Sequence, residues 1–237
     1  MDVMKKNDEL MMIEGMGQIE MQECVNIIVG ANNYANELRR EIEMETSMKI
    51  EAFATYRDYK TIEWFEDLKV DVFENLTSIY PQKKINVIVA IGYSQKNKIR
   101  EKVFFDCKQY GYNIIRYISP RANVYTTRLG EGTIVRAGAH VGVNVILGDG
   151  CIVNCAAVLT HDIKAGKFNF FGARSCFGGG SDIGDYCFFG LNSTIKNRLH
   201  IADFTLIGAG ANVIRDTESN GTYVGNPARV LENHSEH

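Results

Sequence analysis

The stretch "IVNCAAVLTHDIKAGKFNFFGARSCFGGG", residues 152–180, places an apolar side chain at every sixth position: Val153, Leu159, Ala165, Phe171 and Phe177. A lone strand repeats with a period of about 2 and a helix with one of about 3.6. An unbroken period of six therefore requires a coil built from short, equal, straight segments. The rule holds outward from this stretch, back through Leu147, Val141 and Val135 to Leu129, and on through Ile183, Phe189, Ile195, Ile201 and Ile207 to Val213. All fifteen positions are apolar in a chain whose hydrophobic content is 45%. Chance gives such a run about once in a hundred thousand trials. Glycine follows the apolar residue at 130, 142, 148, 166, 172, 178, 184, 190 and 208. Four residues after the apolar position stands a mostly small one, as at Thr133, Ala139, Cys151, Ala157, Ser175, Ser181, Cys187, Ser193, Thr205 and Ala211. This pattern predicts a hexapeptide parallel β-helix. The large side chain fills a three-sided prism, the small one turns inward beside it, and glycine relieves the corner. Three hexads make one coil of 18 residues, so the repeat holds about five coils with no inserted loop.

Glycine also divides the chain: 17 of the 22 glycines lie beyond position 129. The preceding part reads as α/β. "VNIIVGA" (25–31) and "NVIVAIG" (86–92) are continuous apolar runs, as expected of buried parallel strands, and "MKIEAFA" (48–54) and "NIIRYI" (113–118) are further strand candidates. Tyr34, Leu38 and Ile42 mark one helix face; Ile99, Val103, Phe104 and Cys107 mark another. Alternation of this kind predicts a small parallel sheet with crossover helices. The expected organisation is an arm over 1–22, which holds six of the eight methionines, an α/β domain over 23–117, a β-helix over 118–218 and a polar tail over 219–237.

The net charge of −3 gives no basic excess for nucleic acid. No apolar run is long enough to span a membrane, and the N-terminal stretch has no signal-peptide pattern, so a cytoplasmic protein is expected. Six cysteines without a CxxC pair read as reduced structural residues. A zinc site on a β-helix needs converging histidines. His140, His161 and His200 stand 21 and 39 residues apart, neither a multiple of the 18-residue coil, so no metal is expected. His140 and His200 end hexads and read as structural or surface residues, and His234 and His237 lie in the tail.

His161 and Asp162 interrupt the lattice. Adjacent coils stack about 4.8 Å apart, so residues 18 apart are neighbours, with Val143 below His161 and Gly179 above it. His161 is the second residue after an inward aliphatic, near a corner and facing out. The missing side chain at Gly179, within Gly178-Gly179-Gly180, leaves an expected shelf for a thin ligand such as a pantetheine arm. A reaction at that shelf in which an acceptor loses a proton, such as acetyl transfer from a thioester to an amine in the acyltransferase family that the repeat resembles, needs a base. An imidazole, which titrates near about 6.5, is suited to that task. Asp162 would fix its tautomer, and the Gly179 N–H could polarise the thioester carbonyl.

From about residue 24 to 232 the chain resembles the left-handed β-helix acyltransferases, and more narrowly the bacterial nucleotide-sugar N-acetyltransferases that acetylate a 4-amino sugar. The resemblance rests on "IIVGANNYANEL", "VIVAIGYSQKNKIR", "YISPRANV", "VNCAAVLTHDIKAGKF", "FGLNSTIKNRLHIADFTLIGAGANVI" and "YVGNPARV". It implies the left hand of the coil, a Rossmann-like sugar-binding domain, acetyl-CoA as co-substrate and a homotrimer with sites between adjacent prisms. It implies His161 as base with Asp162 as helper, Gly179, Ala209 and Leu191 near the donor, and Asn154 on the acceptor sugar. Phe170 stands where relatives carry a second histidine near the cofactor. The nucleotide loop, in relatives a glycine-rich turn that contains a histidine, is "GANNYAN", in which only Gly30 survives, with Asn32 and Asn33 beyond it; "ATYRDY" replaces the acidic pair after the second strand, and Gly92 is expected at the mouth of the sugar site. The implied activity is N-acetylation of a nucleotide-linked amino sugar for bacterial surface glycans. O-acetylation of a sugar of the sialic-acid type would use the same base, and a non-enzymatic scaffold would need no exposed His161.

Overall fold

The computed structural model describes residues 23–231; the expected arm over 1–22, together with 232–237 of the tail, lies outside the described residues. The first part is a six-stranded sheet of β1 (Cys24–Val29), β2 (Ala52–Thr55), β3 (Trp64–Phe65), β4 (Leu68–Val72), β5 (Lys84–Val89) and β6 (Asn113–Ile114). The strand order is β3-β4-β2-β1-β5-β6, parallel except for the β3–β4 pair. The two continuous apolar runs form the centre, β1 and β5, paired from Cys24–Lys84 to Val29–Val89. Alternation sends Ile27, Val29, Val87 and Val89 to one core and Ile28 and Ile88 to the other. Val103, Phe104 and Cys107 of the helix Lys98–Gln109 cover the first face; Leu38 and Ile42 of the helix Asn33–Glu45 cover the second.

Two strand expectations shift. Pairing in the 48–54 run begins only at Ala52. The 113–118 run is divided, because Asn113–Ile114 completes the α/β sheet while Tyr117–Ile118 already pairs with Ile134–Val135 of the second part. The short β3–β4 hairpin lies outside the sequence expectation, since the charges in "WFEDLKVDV" hide its alternation.

The second part is a left-handed parallel β-helix whose two-residue strands form three walls. Pairing runs at a constant 18 residues, as in His140–Val158, Ile146–Lys164 and Ile152–Phe170. The ends deviate: Tyr117 pairs with Ile134, and Leu206 with Thr222. The strand Thr222–Val224, inside the expected tail, thus continues a prism wall. All fifteen lattice residues lie in one core, none more than 7% exposed.

The corner works differently from the sequence expectation. The residue with positive φ is the third after each inward aliphatic, at every sixth position from Gly132 to Gly210, and includes Asn144 (60°), Asp162 (54°) and Phe168 (54°). The glycine directly after the aliphatic answers a different need. A Cβ at Gly142 would stand 1.4 Å from the Thr160 carbonyl oxygen of the next coil. Coil-to-coil approach, rather than the turn itself, selects glycine there.

The two parts share their cores. Phe168 and Tyr186 of the prism pack with Phe104, and Ile134 and Ile152 pack with Leu38 and Ile42. Arg100, 1% exposed, donates from the helix Lys98–Gln109 to the carbonyls of Gly150, Phe168, Asn169, Ile91 and Gly92 and to Asn97 Oδ1. Burial pushes its guanidinium down to about 10, so it remains charged at neutral pH. Burial also pushes the thiols of Cys107, Cys151 and Cys187 up to about 12, which suits inert core residues.

Candidate active site

His161 leaves the strand Val158–Leu159 at a prism corner, and Asp162 is the residue that makes the turn. Both face outward, with side chains 65% and 57% exposed. His161 Nδ1 meets Asp162 Oδ2 at 2.8 Å. The other carboxylate oxygen, Oδ1, accepts from Asn144 Nδ2 at 2.9 Å. The imidazole, followed by the Asn144 amide, holds the Asp162 carboxyl below its usual range. A carboxylate only accepts, so Nδ1 carries the proton and the Nε2 lone pair is left for another donor.

The stacking arithmetic holds: the Asp162 N–H donates to the Val143 carbonyl at 2.9 Å, and the Gly180 N–H donates to the His161 carbonyl at 3.0 Å. The expected shelf is different. A Cβ at Gly179 would stand 2.4 Å from both Cε1 and Nε2 of His161, so the imidazole itself fills the space over that glycine. The side chain leans toward the next coil, and only a residue without Cβ lets it lie there. The Gly179 carbonyl accepts from the Arg198 N–H at 3.0 Å.

The other expected site residues lie elsewhere. Leu191 and Ala209 stack on the corner column of Ala137, Cys155 and Ala173, which the bonds Ala156 to Ala137, Arg174 to Cys155, Asn192 to Ala173 and Gly210 to Leu191 define. His161 shares its column with Val143 and Gly179, so one chain does not bring these groups together. Asn154 sits beside Cys155 at 6% exposure, its amide donating to the Phe171 carbonyl at 3.0 Å. Phe170, expected near the cofactor, lies on the wall that the α/β part covers. Its ring stacks on Phe188 at 5.3 Å and packs against Tyr34 at 6.4 Å. Its outward position is apolar because another layer lies over it.

Gly30 ends β1 with φ 127°, and a Cβ there would stand 2.9 Å from the Ala90 carbonyl oxygen. It borders a cleft of about 790 Å³ that also includes Thr55, Tyr56, Asp58, Gln95 and Lys102. This is the carboxyl edge of the parallel strands, where open α/β sheets receive ligands. Asn32 caps the helix Asn33–Glu45, its side chain accepting from the Ala35 N–H at 3.0 Å. Gly92 has open space where a Cβ would be. Just beyond it Gln95, Lys96 and Asn97 take positive φ in succession, a costly turn held by Asn97 Nδ2 donating to the Tyr186 and Cys187 carbonyls. His140 packs against Tyr125, and His200 faces Asp182 at 3.6 Å. Sequence reasoning missed Asn144, although the step of 18 that put Val143 under His161 also puts Asn144 under Asp162.

Among the described residues no group of three or more His, Cys, Asp or Glu could hold a metal ion, and no helix is long and apolar enough to cross a membrane. No protein-family model matches the chain, and no curated protein matches its sequence. Solved structures do match. A perosamine N-acetyltransferase from Caulobacter crescentus, with one histidine replaced by asparagine and in complex with CoA and GDP-perosamine, superposes with a TM-score of 0.80 at 26% identity, over 88% of this chain and 97% of that one. The acetyltransferase domain of PglB from Neisseria gonorrhoeae, in complex with acetyl coenzyme A, matches with a TM-score of 0.78 at 25% identity, over 88% and 100%. WeeI from Acinetobacter baumannii shares the fold with a TM-score of 0.79 at 22% identity, over 88% and 100%. The chain has the fold of the hexapeptide-repeat acyltransferases. Within them it resembles the bacterial nucleotide-sugar N-acetyltransferases along both its α/β part and its prism.

Proposed function

We propose that this chain is an acetyl-CoA-dependent N-acetyltransferase acting on the amino group of a nucleotide-linked amino sugar. The observation that carries the reading is the exposed His161, tied to Asp162 through Nδ1 at 2.8 Å with Nε2 left over. As the acceptor nitrogen attacks the thioester carbonyl, a C–N bond forms and Nε2 takes the amine proton. The tetrahedral intermediate then breaks its C–S bond, and the proton passes to the departing thiolate. Asp162 stabilises the imidazolium between those two moments, and the Gly179 N–H is suited to the developing oxyanion.

The site is completed by a second copy of the chain. His161 lies on one prism corner, whereas Asn154, Leu191 and Ala209 belong to another. A homotrimer with corners facing one another would place the acceptor contact Asn154 and the donor contacts Leu191 and Ala209 beside a neighbour's His161. The cleft at Gly30 would hold the nucleotide, with Asn32, two residues beyond Gly30, and Gly92, next to the lining residue Ile91, as further contacts to the nucleotide sugar. The reaction fits a cytoplasmic step of surface-glycan biosynthesis. The test is a screen of nucleotide amino sugars with acetyl-CoA, following release of free thiol. Turnover with an amino sugar that vanishes in His161→Ala supports the reading. Turnover only with a hydroxyl acceptor such as a sialic acid overturns it.

A further inference from the structure

Asp162 is shared between two partners. Its Oδ2 meets His161 Nδ1 at 2.8 Å, and its Oδ1 accepts from Asn144 Nδ2 at 2.9 Å, one coil below. A carboxylate that is 57% exposed can rotate about its terminal torsion and exchange its partners for water. The amide on the opposite oxygen fixes that torsion. The backbone is built for the contact: Asn144 and Asp162 both turn corners with positive φ, 60° and 54°, and stand 18 residues apart. Asparagine tolerates that conformation and also brings a donor. Gly150 and Gly210 occupy equivalent corners without a side chain, so the corner alone does not require asparagine. Asn144 also borders a pocket of about 380 Å³ with Tyr125, Arg128 and Val143, directly beneath the His161 turn.

We propose that Asn144 is a positioning residue that acts through Asp162, holding the carboxylate so that His161 stays in the Nδ1–H tautomer with Nε2 as the proton acceptor. This inference rests on the acetyltransferase reading for its kinetic consequence but not for its structural one. Asn144 touches neither reacting atom, so its loss should lower kcat and leave KM for both substrates in place.

The experiment uses Asn144→Gly, which keeps the backbone compatible with positive φ while removing the amide. Nitrogen-15 NMR of the full-length protein would report the His161 tautomer, and kinetics would be measured in parallel. The expected result is a shift from Nδ1–H toward the other tautomer and a fall in kcat of roughly three- to tenfold, the reach of one hydrogen bond. In an Asp162→Gly background, the same change should have no further effect, because neighbours that act as a unit are not additive. An unchanged tautomer in Asn144→Gly overturns the inference whatever the acceptor is. An equal loss of kcat in both backgrounds also overturns it. If the tautomer shifts but wild-type protein acetylates no nucleotide amino sugar, the acetyltransferase reading has failed and the positioning role stands.

Discussion

The imidazole of His161 lies across the backbone of Gly179, one coil above, so closely that a Cβ there would stand 2.4 Å from Nε2 and Cε1 and 2.8 Å from Nδ1. The proton-accepting edge and the glycine are therefore one unit. Gly179→Ala should push the ring off its seat while the inward lattice, which does not include position 179, stays packed. We expect kcat to fall by about 10² or more, within the range of general-base catalysis, with a near-normal melting temperature. A collapsed melting temperature, or a change confined to KM for acetyl-CoA, would assign the glycine a different role.

Replacing His161 by Asn preserves bulk and removes the base. Turnover should drop by about 10² to 10⁴, while calorimetric affinity for CoA stays close to wild type, because the base acts in the transition state. Retention of more than about a tenth of kcat would count against the assignment.

A site divided between two corners can be tested by mixing. His161→Ala and Asn154→Ala are each expected to be inactive. When they are unfolded together and refolded, mixed trimers should regain activity, since some neighbouring corners then hold one intact His161 and one intact Asn154. No recovery, or a monomeric mass by light scattering with activity intact, would rule out a shared site.

Arg100 ties the helix Lys98–Gln109 to the carbonyls of Gly150, Phe168 and Asn169 on the prism. Arg100→Leu fills part of the volume but leaves several buried carbonyls unpaired, at about 1–3 kcal/mol each. With about 2–4 °C lost per kcal/mol in a chain of this size, melting should fall by roughly 6 °C or more. Arg100→Lys should rescue little, because an ammonium cannot reproduce the planar fork. Differential scanning calorimetry decides it.

The cleft beside Gly30 should bind a nucleoside diphosphate. Gly92 has no atom within 4 Å of the place a Cβ would take, so a side chain can start there without meeting the protein. Gly92→Trp should raise KM for the acceptor and leave KM for acetyl-CoA unaltered. If guanosine, uridine and deoxythymidine diphosphates all bound more weakly than about millimolar, the cleft would not be a nucleotide site.

The prism was legible in the sequence because its rule is one-dimensional. A side chain such as Phe177 points inward solely because of its phase in a six-residue count, and Val143, His161 and Gly179 align by the same count. The contact between parts was not legible. Phe170 looks like an outward position whatever lies over it, and only the covering helix with Tyr34 makes it a half-buried contact against the shared core. Arg100 reads as one more charge on a helix, since all but one of its acceptors are backbone carbonyls, contributed from residues up to 69 positions away. The hairpin Trp64–Phe65 with Leu68–Val72 escaped because its pairing is only two residues long on one side. The His161–Asp162 pair was visible, but the occupant of the space above Gly179 was not, because side-chain lean has no sequence signature.

The αL corner at every sixth residue, repeated in register from Gly132 to Gly210, has a consequence for how such a chain can change length. A single inserted residue would turn each later aliphatic out of the prism and move the residue that now precedes each corner into the left-handed bend. Insertion of one hexad would restore packing but rotate everything beyond it by a third of a revolution, changing which corner each later residue occupies. Only whole revolutions preserve both. Growth or shortening of this molecule is therefore quantised, as on a threaded rod where a nut advances freely but stops facing forward only after complete turns.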